Sequence, residues 1–310
     1  MIYTVTLNPA LDKTVEIPDL KVDAVNRIVS MRTDPGGKGI NVSKVIKELG
    51  GESVAAGILG GNTGRAICGA LDTMGIRNSF LFVEGETRTN LKVIDPVNHT
   101  NTDLNEPGLT VSGEVLESLL GELVSEVREG DIVVLSGSLP KGAPSDTYGT
   151  WVKRCKTAGA KVILDVDGAL LEAGVKESPF LIKPNHHELS ALMGKKLEKP
   201  EELAAAAHSL MAEHGVAKVV VSMGAKGALY VAENETIYAG GLKVPVKSTV
   251  GAGDSVVAAL AVSEEAGSTL EETVRLSTAC GAANVMCDGT QAAAYEVIRD
   301  LMPKVIFHRL

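Results

Sequence analysis

Asp131-Ile132-Val133-Val134-Leu135-Ser136-Gly137-Ser138-Leu139-Pro140 sets an unbroken apolar run against a serine and glycine turn. A strand that is apolar at every position is covered on both faces, as in a parallel sheet flanked by helices. The surroundings agree. Helices are expected over 111–128 and 144–158, and strands over 161–165, 180–183 and 218–222. Upstream, strands over 2–7, 53–58 and 79–83 alternate with helices over 42–49 and 62–74. Downstream come helices within 185–214, a hairpin near 227–239, and helices over 252–265, 270–286 and 292–301. Strands alternating with helices of this length predict an α/β fold with a mainly parallel sheet. Two stretches break the pattern: 13–34 and 87–106 carry short polar strand patterns and leave no room for a crossover helix. They are expected to pair as a small sheet outside the core. No linker, repeat or low-complexity tract divides residues 1–310, so one domain is expected.

Composition narrows the function classes. The 310 residues are 45% hydrophobic and 22% charged, which suits a large packed core. A net charge of -9 with 3% aromatic residues offers neither a basic stripe nor a stacking platform, so no nucleic-acid partner is expected. No apolar run reaches spanning length, and Cys68, Cys155, Cys280 and Cys287 are spaced neither as a disulfide framework nor as a zinc site. A cytoplasmic protein with no membrane partner is expected. An anionic ligand would have to be met by local cations against a repulsive background.

In a sheet of this kind ligands sit beyond the carboxyl ends of the strands. Asp12, Ser138, Asp165, Lys183 and Ser222 all fall just past predicted strand ends. Thr249-Val250-Gly251-Ala252-Gly253-Asp254-Ser255, followed by the apolar run Val256 to Val262, reads as a glycine turn opening a buried helix. Its free N–H groups and dipole make an anion hole, with Asp254 at the rim able to take a proton from a hydroxyl. The same residues would serve equally as a simple helix cap. Asp34-Pro35-Gly36-Gly37-Lys38-Gly39-Ile40-Asn41 is a second glycine turn before a helix. Lys183-Pro184-Asn185-His186-His187-Glu188 puts Asn185 and Glu188 on one helix face, as oxygen donors for a hydrated Mg²⁺ or as a capping-box pair. His186 and His187 diverge by about 100° on a helix and are a poor pair of ligands for one ion. No P-loop, no dinucleotide-binding glycine motif after the first strand and no H-E-x-x-H occurs.

These residues carry a resemblance that spans nearly the whole chain. Thr6 to Asp12, Gly36 to Asn41, Ser136 to Pro140, Lys183 to Leu189, Val221 to Gly224 and Val250 to Ser255 resemble, in order and spacing, the ribokinase/PfkB family of carbohydrate kinases, in its sugar-phosphate branch. The resemblance implies a ribokinase-like three-layer α/β/α core with a β-sheet lid. It implies ATP and Mg²⁺, and phosphorylation of fructose 1-phosphate, with tagatose 6-phosphate or fructose 6-phosphate as alternatives. Asp254 would be the general base, and Gly251, Ala252 and Gly253 would stabilise the transferred phosphoryl group. Lys183, Asn185, Ser222, Gly224 and Asn284 would serve the nucleotide, and Glu188 the metal, largely through water. Asp12, Gly37 and Asn41 would bind the sugar; Arg27, Lys38, Arg88 and Ser138 would meet its phosphate.

Two arginines on a lid suit an incoming phosphate better than a neutral sugar. Family lids pair between subunits, which implies a homodimer through the lid. A catalytically silent sugar-phosphate sensor would be expected to have lost Asp254 or its glycines. The chain departs from its relatives at Asp167-Gly168, where a serine usually precedes the glycine, so the roles of Asp165 and Asp167 stay open. The register of Thr89-Asn90-Leu91-Lys92 decides which of Asn90 and Lys92 faces substrate, and Lys92 is left outside the expected site.

Overall fold

The computed structural model describes all 310 residues. In chain order the first half comprises β1 (Ile2–Thr6), β2 (Ala10–Glu16), β3 (Ser30–Gly36), α1 (Lys38–Glu48), β4 (Ser53–Gly60), α2 (Gly61–Thr73), β5 (Arg77–Val83), β6 (Arg88–Asp95), β7 (Thr100–Asn105), α3 (Gly113–Glu126) and β8 (Ile132–Ser136). There follow α4 (Thr147–Thr157), β9 (Lys161–Asp165), α5 (Gly168–Val175), β10 (Leu181–Ile182), α6 (His186–Leu192), α7 (Pro200–His214) and β11 (Lys218–Ser222). The chain closes with β12 (Ala228–Ala232), β13 (Glu235–Ala239), α8 (Ala252–Ala266), α9 (Leu270–Asn284), α10 (Tyr295–Leu301) and β14 (Phe307–Arg309).

Ten strands make the main sheet in the order β14-β13-β12-β11-β10-β9-β8-β1-β4-β5. From β5 to β11 every pairing is parallel; β12, β13 and β14 add an antiparallel edge. The apolar run in β8 shows why the sheet has two cores. Val133 and Leu135 enter the cluster beneath α3 to α7, while Ile132 and Val134 enter the one beneath α1, α8, α9 and α10. Each successive residue points to the opposite face, so a two-sided sheet needs an unbroken apolar strand. The result is the three-layer α/β/α core expected from the sequence. Helix α8 is buried around much of its circumference, Val257 to Ala261 being at most 1% exposed, and this fixes where its N-terminus points.

After β1 the chain winds outward through β4 to β5, then returns at β8 and winds the other way. The crevice at this reversal is where ligands bind in doubly wound sheets. A separate four-stranded sheet, β3-β2-β6-β7, stands over it. Its strands differ from the sequence expectation. Asp12 lies within β2 rather than past a strand end, and β3 begins at Ser30 rather than near Asn26. Side-chain bonds hold the intervening loop: Asn26 Nδ2 donates to the Lys21 and Ala24 carbonyls, and Asp95 accepts from the Asp19 and Leu20 N–H groups. Helix α5 and edge strand β14 were not expected. No helix is long and apolar enough to cross a membrane.

Candidate active site

Helix α8 opens at Gly251, whose φ of 82° is the left-handed conformation, and no side chain caps it. Helical geometry leaves the N–H groups of Gly253 and Asp254 without acceptors inside the helix. Asp254 in this first turn is 6% exposed, and Asn41 Nδ2 donates to its Oδ2 at 2.8 Å. Asn41 comes from α1, which opens at Gly37 with φ 118°. Two glycine-led helix starts thus meet at one carboxylate. Burial, then the negative charge of Asp165, pushes the Asp254 carboxyl up to about 6, although Asn41 and the lysines pull the other way.

Asp165, at the end of β9, is paired twice, with Lys183 Nζ at 3.1 Å and Lys38 Nζ at 3.4 Å. Burial alone would raise this carboxyl, but Lys183 and then Lys38 outweigh it and hold it below the usual range. Burial would likewise lower Lys38; the charges of Asp165 and Asp254 keep it above the ordinary lysine value. Lys183 reaches the anion hole itself: a Cβ placed on Gly253 would lie 3.4 Å from its Nζ. On α1, Lys44 Nζ donates to the Pro35 carbonyl at 3.0 Å and to Thr290 Oγ1 at 3.5 Å, and burial lowers it to about 8.

The small sheet supplies the opposite wall. Asn90 Nδ2 donates to Asp12 Oδ1 at 3.0 Å, and burial lifts Asp12 above the usual carboxylate range. Arg88 donates to the carbonyls of Asn8, Pro9 and Glu106, binding the turn after β1 to the end of β7. Asn8 Nδ2 in turn donates to Ser138 Oγ at 3.3 Å. The walls enclose a cleft of about 560 Å³, and only 2 of its 26 lining residues are hydrophobic. Such a lining suits a hydroxylated, phosphorylated ligand and not an apolar one.

The sequence profile of the pfkB family carbohydrate kinases matches residues 5–296. The chain belongs to this family. The 1-phosphofructokinase of Bacillus subtilis is 38% identical to it over 310 residues, which is 100% of both chains. That of Xanthomonas campestris pv. campestris is 38% identical over 308 residues, 98% of this chain and 96% of its own. Phosphofructokinase-2 from Escherichia coli, solved in complex with substrates and products, superposes with a TM-score of 0.93 at 32% identity over 98% of each chain.

In this carbohydrate kinase ten of the residues expected from the sequence line the cleft: Asp12, Gly37, Lys38, Asn41, Arg88, Ser138, Lys183, Gly251, Gly253 and Asp254. Ala252 lies between the two glycines in the first turn of α8. Others stand apart. Arg27 is exposed on the loop before β3, outside the cleft, because that loop is not the strand expected there. Asn284 is 2% exposed behind Gly251, its amide donating to the Gln291 carbonyl at 2.9 Å, so it supports the turn and does not reach the cleft. Asn185 and Glu188 form the capping box of α6: Asn185 Oδ1 accepts from the His187 and Glu188 N–H groups, and Glu188 Oε2 accepts from the Asn185 N–H. Ser222 and Gly224 continue this rim at the end of β11, where the Ser222 N–H donates to the Pro184 carbonyl.

No three His, Cys, Asp or Glu side chains converge as a metal cage. Both Asp165 oxygens face lysines, which leaves the second oxygen of Glu188 and the carboxylate of Asp167 uncommitted. Uncommitted oxygens of this kind, with no cage around them, suit a Mg²⁺ carried mainly by phosphate oxygens and water and not by the protein alone. Sequence reasoning missed three of the links that hold the site together, Asn8, Lys44 and Thr290, and left the fourth, Asn90, undecided against Lys92. Alternation along β6 could have found Asn90.

Proposed function

We propose that the chain is an ATP- and Mg²⁺-dependent 1-phosphofructokinase, converting fructose 1-phosphate to fructose 1,6-bisphosphate within one kinase domain whose small sheet, built from 13–34 and 87–106, acts as a lid. The observation that carries the reading is the buried Asp254 carboxylate at the uncapped start of α8, facing a polar cleft beside Lys183. Relatives so named, 38% identical over the full length, favour the 1-phosphate substrate.

In this reading Asp254 takes the proton of the C6 hydroxyl while Asn41 fixes the orientation of its carboxylate. The hydroxyl oxygen forms a bond to the γ-phosphorus, the bond from that phosphorus to the β–γ bridging oxygen breaks, and ADP leaves. The N–H groups at Gly253 and Asp254, with Lys183 beside them, receive the negative charge on the phosphoryl oxygens. Bound Mg²⁺ would neutralise the ATP phosphates, with Glu188 touching it through water. Asp12 and Gly37 hold the sugar hydroxyls, and Lys38, Arg88 and Ser138 lie within reach of its phosphate. Asn185, Ser222 and Gly224 form the adjoining nucleotide rim. Exposed apolar residues on the lid loop, Val22 at 96% and Val25 at 86%, support pairing of two lids in a homodimer.

ADP release measured with fructose 1-phosphate, tagatose 6-phosphate and fructose 6-phosphate tests the assignment. The expected result is a kcat/KM at least about tenfold higher for fructose 1-phosphate, the discrimination that the net value of one hydrogen bond supplies. A tenfold preference for either 6-phosphate would refute it.

A further inference from the structure

We propose that Lys92 selects the phosphorylated end of the sugar; the proposal rests on the reading of this chain as a kinase of sugar phosphates. The register pairs Asn90 of β6 with Asp12 and Lys92 with Thr14. Residues two apart on a strand share a face, so Arg88, Asn90 and Lys92 all look into the cleft, and all three line it. Leu91 and Val93 turn the other way, into the small apolar cluster with Val15 and Ile17. Asn90 and Lys92 are therefore not alternatives.

Charge makes Lys92 distinctive. The cleft is lined by six carboxylates against five cations, so an incoming anion meets no surplus of positive charge. Lys38 and Lys183 are held by Asp165, and Arg88 donates to three backbone carbonyls. Lys13 also borders the cleft and makes no ion pair, but it is in register with Leu91, on the face of the small sheet opposite Asp12, Asn90 and Lys92. Lys92 makes no ion pair and no hydrogen bond, although Asp103 stands opposite it on β7. A half-buried ammonium left free in a polar cleft is the group best placed to meet a phosphate.

Position points the same way. A second cavity of about 540 Å³ adjoins the cleft, and the two share Thr14, Lys92, Val250 and Gly289. None of Gly251, Gly253 and Asp254 lines this second cavity. Lys92 thus stands on the border of the cleft. When one primary hydroxyl of a ketohexose phosphate is at Asp254, its phosphate lies at the far end of the carbon chain, toward the lid.

Steady-state kinetics of Lys92→Met, Lys92→Arg and Lys13→Met test the assignment. Lys92→Met is expected to raise KM for fructose 1-phosphate about tenfold or more, the loss that follows from removing a charged hydrogen bond. Its kcat and KM for ATP should stay within about twofold, Lys92→Arg should recover most of the affinity, and Lys13→Met, whose lysine lies on the other face of the small sheet, should raise the sugar-phosphate KM by less than about threefold. An unchanged sugar-phosphate KM in Lys92→Met would overturn the proposal. So would a rise in KM for ATP alone, or an equal loss in Lys13→Met. Wild-type protein that turned over no sugar phosphate would defeat the kinase reading itself, and this assignment with it.

Discussion

Asp254 occupies a place where a carboxylate is costly, and the proposed reaction ties that cost to its use. Its folded value of about 6 exceeds the ordinary aspartate value of about 3.9. For a carboxyl raised in the folded state, the stabilising contribution is fully present below the unfolded value and is lost as pH rises through the folded one. Near pH 7.5 the ionised group therefore carries a penalty of about 3 kcal/mol. Asp254→Asn should lower kcat by at least about 10²-fold, as expected for loss of a general base, and yet raise Tm by a few degrees at pH 7.5. The Tm gain should shrink toward zero near pH 4.5, where the wild-type carboxyl is already protonated. Wild-type kcat/KM should fall with decreasing pH along a limb near 6, because the base must be ionised to act. Calorimetry and a pH–rate profile read both effects, and a variant that is inactive but no more stable at pH 7.5 would contradict the strain argument.

At the level of elements, the Asp95 carboxylate anchors the small sheet's loop from 17 to 29 to the end of β6. Asp95 accepts hydrogen bonds from the backbone of Asp19, Leu20, Val97 and Asn98 and from the Asn98 amide. The Asn98 side chain and these N–H groups hold its carboxyl well below the usual range. With a depressed folded value, the stabilisation is present above the ordinary carboxylate range and is lost progressively as pH falls from that range through the depressed value. Asp95→Ala should speed amide exchange at 19–29 and 97–99 and raise KM for sugar phosphate, while exchange in the main sheet stays slow; uniform loosening of both sheets would argue against a local anchor. This loop also marks where sequence reading stops. Periodicity revealed the buried strands and helices because apolar alternation records which faces are covered. It placed a strand at Asn26 where tertiary bonds impose a loop, since nothing in the order of residues says that Asp95 will reach back to Asp19. The site divides in the same way. Asp254, Lys38 and Asn41 announce themselves beside glycines, whereas Glu188 and Asn185 satisfy a helix cap with the same atoms that a metal reading would use.

For the whole molecule, the outstanding question is why the chain leaves Val22, Val25, Ile28 and Val29 all at least half exposed on one loop. Such a patch on a protein of net charge -9 is a mark of an interface. The open edges of the small sheet, β3 and β7, offer the same invitation to pair. Arg27 sits in this patch, away from its own cleft. If two lids pair, the natural reading is that Arg27 serves the partner's site, and a complementation experiment separates this from a role in its own chain. Arg27→Ala and Asp254→Asn should each be nearly inactive alone. After the two are unfolded together and refolded as a mixture, mixed dimers contain one site with an intact Asp254 and the partner subunit's Arg27, so part of the wild-type activity should return. Arg27 acting within its own chain would give no recovery, because neither subunit then carries both groups. Sedimentation of the wild type should give a dimer, and Val25→Asp with Ile28→Asp should give a monomer with weakened sugar-phosphate binding. A wild-type monomer of full activity would leave the exposed loop without this purpose and exclude the shared site.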